Sequence, residues 1–239
     1  MTSTRYARPL VVAAPSRHTS PLHLMAPREG SRRALNVIVA GIGLILAAPL
    51  LAGIAALIKL TSSGPVLFSQ TRIGLDRRIP GQGDGDNRRK VDYGGRPFTI
   101  FKFRTMHWQP ANNDAQVWAT PDDPRVTRLG KILRQYRLDE LPQLLNVLRG
   151  DMNIVGPRPE QPKIVLQLRD QIQNYEHRHM VRPGITGWAQ VNYRYDTSLD
   201  DVRKKIAYDL QYVARQSFME DLRIMVRTAP VIIWRRGAW

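Results

Sequence analysis

Two adjacent acids, Asp139 and Glu140, are the first candidates for chemistry, and they lie in an apolar segment that ends at Pro142. Neighbouring helical residues point about 100° apart, so the pair would not share one face as a general acid and base. The carboxylates could still meet at one metal ion, or one could attack as a nucleophile while the other holds a cation. Pro142 would disturb a helix here. Exposed acidic pairs are common, so the surrounding residues decide whether this pair is a site.

Arginines are concentrated on both sides of the acidic pair. Arg134 and Arg137 precede it, Arg149 follows it, and Arg158 lies in a Gly-Pro-Arg-Pro turn at residues 156–159, called the GPRP turn below. The planar guanidinium group offers a fork of donors that matches phosphate oxygens. Carboxylates with several arginines indicate phosphoryl chemistry, in which acids hold a cation and guanidinium groups hold phosphate charge.

His177 and His179 form a second candidate, for a metal site. Two histidines separated by one residue share a face only on a strand, and the sequence around them is not typical of a strand. No third ligand is evident in the sequence nearby. A polar surface or a phosphate-facing loop is therefore favoured over a metal site.

The composition predicts an anionic partner. Lysine and arginine number 36 against 20 acidic residues, a formal net charge of +16 over 239 residues. Nucleic acid, an acidic membrane surface and a phosphorylated substrate would each match this charge. The aromatic residues are scattered rather than arranged as a stacking platform, which argues against nucleic acid. The sequence has no cysteine, which excludes a disulfide scaffold, a thiolate metal site and a cysteine nucleophile.

Residues 34–58 are uncharged and contain a single polar side chain, that of Asn36. A straight helix of this length would extend about 37 Å, against a hydrocarbon core of about 30 Å. A soluble core helix of that length would show a polar stripe, and this segment shows none. We therefore predict that it is embedded in a membrane.

The path of this segment through the membrane is left open by these patterns. Pro49 removes the hydrogen bond to the Ile45 carbonyl and tends to kink a helix. Both flanks are basic, and basic flanks favour the cytoplasm, so a hairpin that enters and returns would satisfy both. A kinked spanning helix is the alternative, since proline is tolerated in such helices.

The rest of the chain predicts a mostly helical domain with one β-hairpin. Extended stretches at residues 65–71 and 97–103 flank a loop from Ile79 to Gly95. Apolar spacing predicts helices at residues 125–148, broken near Pro142, and at residues 161–173 and 199–214. The basic, tryptophan-containing end at residues 221–239 suits either the membrane interface or packing against the core. Residues 1–32 show no periodicity and predict a mobile basic tail.

Eight segments match a known family in order along the chain. They are SGPVLF (63–68), QTRIG (70–74), FKFRTM (101–106), DPRVTRLG (123–130), LDELPQLLNV (138–147), GDM (150–152), VGPRPE (155–160) and VRPGITGWAQVN (181–192). With these segments the sequence resembles the bacterial sugar transferases, monotopic polyprenyl-phosphate phosphoglycosyl transferases of exopolysaccharide and glycoconjugate synthesis. The resemblance covers the chain from about residue 33 to about residue 230.

The resemblance implies an α+β fold that is mostly helical with a β-hairpin. It implies a monotopic membrane protein in which residues 33–60 form a re-entrant helix broken at Pro49, which favours the hairpin alternative above. Residues 61–239 would form a catalytic domain with interfacial amphipathic helices, on the cytoplasmic face of the bacterial inner membrane.

The resemblance also assigns expected roles to residues. Asp139 matches the nucleophile of the family, and Glu140 matches the acid that helps to hold Mg²⁺, so the two would form the metal site together. Further matches are to positions regarded as important for the phosphate and the acid pair: Lys102, Arg134, Arg158 and Asp209.

The implied reaction transfers a sugar 1-phosphate from a UDP-sugar to undecaprenyl phosphate through a covalent aspartyl intermediate, with release of UMP. Anionic inner-membrane lipid would be a further partner, nucleic acid would not, and a homodimer is one option for the oligomeric state. The identity of the sugar is left open. Alternatives are a non-enzymatic basic membrane adaptor, and a membrane-anchored DNA-binding protein, for which no helix-turn-helix is found.

Three features depart from the family pattern. Ala48 precedes the membrane proline where the family often has serine, and Tyr193 replaces the glycine of the usual Asn-Gly-Arg sequence. The loop from Ile79 to Gly95 is an insertion relative to shorter members. The membrane bundle and extra domain of larger members are not seen, so the resemblance is to the small form of the family.

Overall fold

The computed structural model describes residues 29–76, 91–108, 123–193 and 198–233. Within these ranges the protein is mostly helical, with one long apolar N-terminal helix and two small two-stranded sheets, as the α+β prediction expected. Residues 1–28 of the predicted basic tail, residues 79–90 of the predicted loop, and the last six residues lie outside the described ranges. Predictions about these residues therefore stay predictions. The tail was predicted to extend to residue 32, which is wrong for residues 29–32, since they form the start of the first helix.

The first helix, α1 (Glu29–Thr61), is long and apolar enough to cross a membrane, and it continues through Pro49. Much of its surface is uncovered near the middle, where the side chains of Ile45 and Leu46 are 74% and 75% exposed. Uncovered aliphatic side chains of this size suit lipid rather than water. The break predicted at Pro49 is not seen, since α1 is one helix on both sides of this residue.

Polar contacts fix the start of α1 to the rest of the protein. The buried Arg32 guanidinium donates to the Asp221 carboxylate over 2.9 Å and to the Tyr212 hydroxyl over 2.7 Å. Asn36 accepts a hydrogen bond from the backbone N–H of Ile154, while its own amide donates to the Arg32 carbonyl. The one polar residue of the apolar run therefore docks the helix onto the folded domain.

The end of α1 is fixed by apolar packing and by one arginine. Ile54 and Ile58 are buried in a cluster with Phe103 and Leu133. Just beyond the helix, Arg104 donates to the carbonyl and hydroxyl of Ser62, at 2.9 Å each, and satisfies acceptors that a helix end leaves open. Both ends of α1 are thus attached to the same domain.

The predicted hairpin is present. Strand β1 (Leu67–Ile73) pairs antiparallel with β2 (Pro97–Phe103), with Leu67 opposite Phe103 and Ile73 opposite Pro97. The first strand begins two residues later than predicted, because Pro65 has no N–H to offer a ladder. The buried Asn146 side chain accepts from Phe101 N–H and donates to the Thr99 carbonyl, so it satisfies the outer edge of β2.

Two short helices follow the hairpin, α2 (Arg128–Gln135) and α3 (Gln143–Arg149), with a single 3₁₀ turn at Leu138–Glu140 between them. A Cβ at Gly130 would lie 2.0 Å from the Thr105 carbonyl oxygen, so only glycine allows α2 to approach the segment directly after β2 this closely. The predicted interruption of the helical region near Pro142 is confirmed.

The remaining elements form the second half of the domain. They are β3 (Asn153–Val155), α4 (Pro162–Gln171), β4 (Gly184–Thr186), α5 (Trp188–Asn192), α6 (Leu199–Arg215) and α7 (Phe218–Ile233), with β3 parallel to β4. The helices predicted at residues 161–173 and 199–214 are confirmed as α4 and α6. Helix α7 packs against the core through Asp221 and Ile224, which are buried, whereas Met219 and Val226 are 68% and 66% exposed. The membrane-interface alternative for this region stays a prediction.

The two histidines of the metal alternative lie in a 3₁₀ segment, Tyr175–Met180, in different surroundings. His177 is exposed, whereas His179 is 5% exposed and lies edge-on to the Tyr175 ring. Burial, and then the positive charge of Arg178, lower the pKa of His179 from 6.5 to about 3. The imidazole is therefore neutral in the folded protein over the physiological pH range.

This burial predicts acid sensitivity. Because the folded pKa of His179 is depressed, the unfolded chain takes up a proton first as pH falls below 6.5, and stability is lost between that value and about 3. Acidification from pH 7.5 to pH 5 should therefore lower the free energy of unfolding by roughly 2 kcal/mol through this group. Chemical denaturation in detergent at the two pH values should show a smaller loss of unfolding free energy for His179→Gln than for the wild type. The control His177→Gln should show the same loss as the wild type. Equal losses in all three proteins would contradict this assignment.

Candidate active site

The acidic pair is buried rather than exposed. Asp139 and Glu140 lie in the 3₁₀ turn between α2 and α3, and they are 8% and 7% exposed. Arg137 begins this turn in the left-handed region at φ 55°, a conformation that a non-glycine residue adopts at an energetic cost. Pro142 caps α3 on the far side. The turn, rather than the proline alone, separates the two helices and points the acids into the domain.

Glu140 is held by two cations from different parts of the chain. The Lys102 ammonium, on β2, lies 3.2 Å from Oε1 of Glu140. Arg158, in the GPRP turn, donates to both carboxylate oxygens: Nη2 to Oε1, and Nη1 to Oε2 over 3.3 Å. This fork-to-fork geometry fixes the orientation of both partners.

The electrostatics of Glu140 follow from these contacts. Burial acts to raise the pKa of its carboxyl group, but the charges of Arg158 and Lys102 and the hydrogen bond from Arg158 hold it well below its usual value. The pKa of Arg158 is raised in turn, first by Glu140. Glu140 is therefore an ionised anchor whose oxygens are shared with Lys102 and Arg158.

Asp139 is in the opposite situation. Within the described ranges no side chain or backbone group donates a hydrogen bond to its carboxylate. Burial, and then the neighbouring charge of Glu140, raise its pKa above the usual value, while Lys102 and Arg158 act to lower it. Its carboxylate is thus buried, close to positive charge and open to an incoming group.

Two other predicted site residues are further from the acid pair. Arg134 on α2 donates from Nε to the Thr105 hydroxyl over 2.9 Å, and its charge reaches Asp139. Asp209 on α6 is 2% exposed, and its Oδ2 atom accepts two hydrogen bonds from Arg178. The side chains of Lys102 and Arg158 therefore meet the acid pair directly, whereas Asp209 is engaged elsewhere. Any substrate contact of these residues stays a prediction.

Sequence reasoning missed residues that support the GPRP turn. Arg72 on β1 donates to the Pro159 carbonyl over 3.2 Å and lies 3.7 Å from the Glu160 carboxylate. Lys205 on α6 lies 3.5 Å from the same carboxylate. Arg72 and Glu160 both fall in segments that match the family, QTRIG and VGPRPE, but no chemistry was assigned to them. That match was the only signal that could have found them.

The residues at the acid pair fit Mg²⁺. Nowhere in the described ranges do three or more histidine, aspartate or glutamate side chains form a ready metal cage. Mg²⁺ does not need one, since it usually binds through one or two carboxylates together with substrate phosphates and water. Asp139 has its oxygens open for this purpose, while those of Glu140 are shared with Lys102 and Arg158.

A family model and several relatives match this chain. A model of the bacterial sugar transferase family matches residues 28–235. A UDP-glucose:undecaprenyl-phosphate glucose-1-phosphate transferase of Caulobacter vibrioides is 42% identical over 210 residues, covering 87% of this chain and 72% of that protein. The exopolysaccharide production protein ExoY of Rhizobium meliloti is 34% identical over 227 residues, covering 87% of this chain and 88% of that protein.

Other relatives are longer than this chain. A UDP-N-acetylgalactosamine-undecaprenyl-phosphate N-acetylgalactosaminephosphotransferase of Aeromonas hydrophila is 42% identical over 207 residues, covering 87% of this chain. The chain spans between 37% and 44% of the length of this and four further relatives. The match from residue 28 to residue 235 includes the membrane helix, the acid pair and the GPRP turn. The chain belongs to the bacterial sugar transferase family.

Proposed function

We propose that this protein transfers a sugar 1-phosphate from a UDP-sugar to undecaprenyl phosphate and releases UMP, as a membrane step of exopolysaccharide or glycoconjugate synthesis. The observation that carries the proposal is the contrast between two adjacent buried carboxylates. The carboxylate of Glu140 is bound by Lys102 and Arg158, whereas the carboxylate of Asp139 accepts no hydrogen bond within the described ranges. Family membership supports it, since the relatives from A. hydrophila and C. vibrioides are named for transfers of this kind. Their names differ in the sugar, so the sugar is not assigned.

Asp139 is the proposed nucleophile. Its carboxylate oxygen attacks the β-phosphorus of the UDP-sugar, the bond from that phosphorus to the bridging oxygen breaks, and UMP leaves with the bridging oxygen. The sugar phosphate is then joined to Asp139 as an acyl phosphate. An oxygen of undecaprenyl phosphate attacks the same phosphorus, which frees the carboxylate and yields undecaprenyl diphosphate sugar. One anhydride is broken and one formed, so the barrier rather than the overall free energy is the difficulty.

The main barrier is repulsion between anions. A carboxylate must approach a diphosphate, and a lipid phosphate must approach the phosphorylated intermediate. Lys102, Arg134 and Arg158 place positive charge around Asp139 in a partly desolvated site, where it acts more strongly than in water. Glu140 holds Lys102 and Arg158 in position before substrate arrives, so little reorganisation is needed.

Mg²⁺ is the proposed cofactor. The carboxylate of Asp139 and, in part, that of Glu140 would hold it together with the donor diphosphate. When bound, the ion would supply positive charge that neutralises the diphosphate.

The membrane segment is proposed to enter and leave the same face of the bilayer. Helix α1 would extend about 50 Å if straight, longer than a hydrocarbon core of about 30 Å. Yet Arg32 at its start is paired with Asp221, and Ile58 at its end packs against Phe103, in one folded domain. Attachment of both ends to one domain supports a re-entrant path. The basic flanks support the cytoplasmic face of the inner membrane.

Exposed apolar side chains support an interfacial position for the catalytic domain. Ile132 on α2, Leu145 on α3, and Met219 and Val226 on α7 are between 39% and 68% exposed. Basic residues such as Arg223 accompany them on α7. Such mixed faces suit the boundary between acyl chains and anionic headgroups, where the lipid acceptor would present its phosphate.

The activity predicts a defined response to one substitution. Purified protein in detergent, supplied with Mg²⁺, undecaprenyl phosphate and a panel of UDP-sugars, should release UMP with at least one donor. Asp139→Asn should reduce this turnover by at least about 1000-fold, because it removes the nucleophile while preserving size. Chelation of the metal should also abolish it. Asp170→Asn on the exposed face of α4 is the matched control and should retain wild-type turnover.

Full turnover by Asp139→Asn would exclude the proposed mechanism. Absence of UMP release with every UDP-sugar, from protein that is correctly folded, would favour the adaptor alternative. In that case membrane binding should survive substitution of Asp139 and Glu140 and should weaken with salt.

The membrane path predicts which side of the bilayer each helix end faces. The chain has no cysteine, so Gly30→Cys, Ile45→Cys and Thr61→Cys each introduce a single thiol. A membrane-impermeant maleimide should label the variants at positions 30 and 61 in inverted inner-membrane vesicles but not in spheroplasts. The variant at position 45, a control in the hydrocarbon region, should react in neither. Labelling of position 30 in spheroplasts and of position 61 only in inverted vesicles would indicate a spanning helix.

A further inference from the structure

The carbonyl groups of the GPRP turn are held from several directions. The Pro157 carbonyl accepts from Gly184 N–H over 2.9 Å, and the Glu160 carbonyl accepts from Ile73 N–H over 2.9 Å. The Pro159 carbonyl accepts from the Arg72 side chain. Three of the four consecutive carbonyls of residues 157–160, in and directly after the GPRP turn, are thus bonded, and the remaining one is that of Arg158. Because the Arg158 side chain binds Glu140, the group that holds the Arg158 backbone affects the active site.

Arg178 holds the Arg158 backbone. Its guanidinium is 2% exposed, and Nη2 donates to the Arg158 carbonyl over 2.8 Å. The same nitrogen donates to Oδ2 of Asp209 over 2.7 Å, and Nε donates to that oxygen over 3.1 Å. The remaining nitrogen, Nη1, donates to the Tyr175 hydroxyl over 3.0 Å. Asp209 and Tyr175 together therefore orient the fork of Arg178 toward the GPRP turn.

These contacts form a continuous path from α6 to the acid pair. Asp209 binds Arg178, Arg178 binds the backbone of Arg158, and the side chain of Arg158 binds Glu140. Arg178 and Asp209 make no hydrogen bond to Asp139 or Glu140 within the described ranges. An effect of Asp209 on the reaction would therefore pass through Arg158.

We propose that Arg178 and Asp209 are positioning residues that set the placement of the Arg158 guanidinium for the donor diphosphate. This inference rests on the proposed function. A buried ion pair gives little net stability, because desolvation of both charges offsets their attraction. The functional consequence of this pair is the fixed hydrogen bond to the Arg158 carbonyl. Without the Asp209 charge, the Arg178 fork can turn, and the Arg158 backbone loses one of its supports.

The test is a double-mutant cycle between Asp209→Asn and Arg158→Ala. Steady-state UMP release with labelled UDP-sugar gives kcat/KM, and the dissociation constant for the UDP-sugar gives a second readout that does not need turnover. Asp209→Asn alone should lower kcat/KM by about 10- to 100-fold, the usual range for residues that orient a group at a reaction centre. In the Arg158→Ala background the same substitution should change neither readout by more than about twofold, since the group it positions is gone.

Two further variants separate positioning from general stability. Arg178→Lys keeps the charge but loses the fork, so it should reproduce the loss of Asp209→Asn and the same dependence on Arg158. Asp221→Asn breaks a different buried arginine–aspartate pair, with Arg32, and is the matched control. Any fold-loss of kcat/KM caused by Asp221→Asn should be the same in the wild-type and Arg158→Ala backgrounds.

Several outcomes would overturn the inference. One is an equal fold-loss from Asp209→Asn in both backgrounds, which would make its role merely structural. Another is a loss from Asp209→Asn without one from Arg178→Lys, which would indicate that Asp209 contacts substrate directly. A wild-type kcat/KM in Asp209→Asn would also exclude it, while leaving the proposed function intact. Lack of UMP release by the wild-type protein would instead reject the proposed function, and the inference with it.

Discussion

The pairing of Glu140 with Lys102 and Arg158 is the interaction on which the active site depends. A buried carboxylate with no positive charge nearby would cost several kcal/mol, so the two cations must be brought to Glu140 when the chain folds. Lys102 comes from the hairpin, Glu140 from the turn between α2 and α3, and Arg158 from the GPRP turn. Satisfying one buried charge therefore requires three separate parts of the chain to meet.

This pairing also gives the two adjacent acids different roles. Glu140 uses its lone pairs to hold Lys102 and Arg158, and it stays ionised because of them. Asp139 benefits from the same cations without being bound by them, so its oxygens are left for a metal ion or a phosphorus atom. Two neighbours with the same chemistry thus have different environments, and the environment rather than the residue type indicates which one reacts.

Some of the many basic residues stabilise the fold, and the sequence alone does not distinguish them from residues that bind substrate. Arg32 pairs with Asp221, Arg33 donates to the Val147 and Leu148 carbonyls, Arg104 binds the end of α1, and Arg178 supports the GPRP turn. Each uses its donors on protein acceptors. The arginines near Asp139 are therefore a smaller group than the net charge suggests, and the membrane helix is itself anchored by arginine at both ends.

The elements with clear periodicity could be predicted from the sequence, and the contacts between distant residues could not. Helices α4 and α6 and the hairpin follow from apolar spacing, whereas β3 and β4 are three residues each and too short to show a pattern. Residue types and spacing indicated the acid pair and Arg158, and the family resemblance added Lys102. Neither could show that Asp209 is engaged by Arg178, or that Asn36 docks the membrane helix, because these contacts depend on tertiary pairing.

The central claim is that the open carboxylate of Asp139 accepts the sugar phosphate before the lipid does. The most direct measurement is UMP release from labelled UDP-sugar by concentrated protein with no lipid acceptor present. The account predicts a rapid burst that approaches one UMP per protein molecule, with the label retained on the peptide that contains Asp139. Release of UMP only after addition of undecaprenyl phosphate, with no label on the protein, would indicate direct transfer and contradict the account.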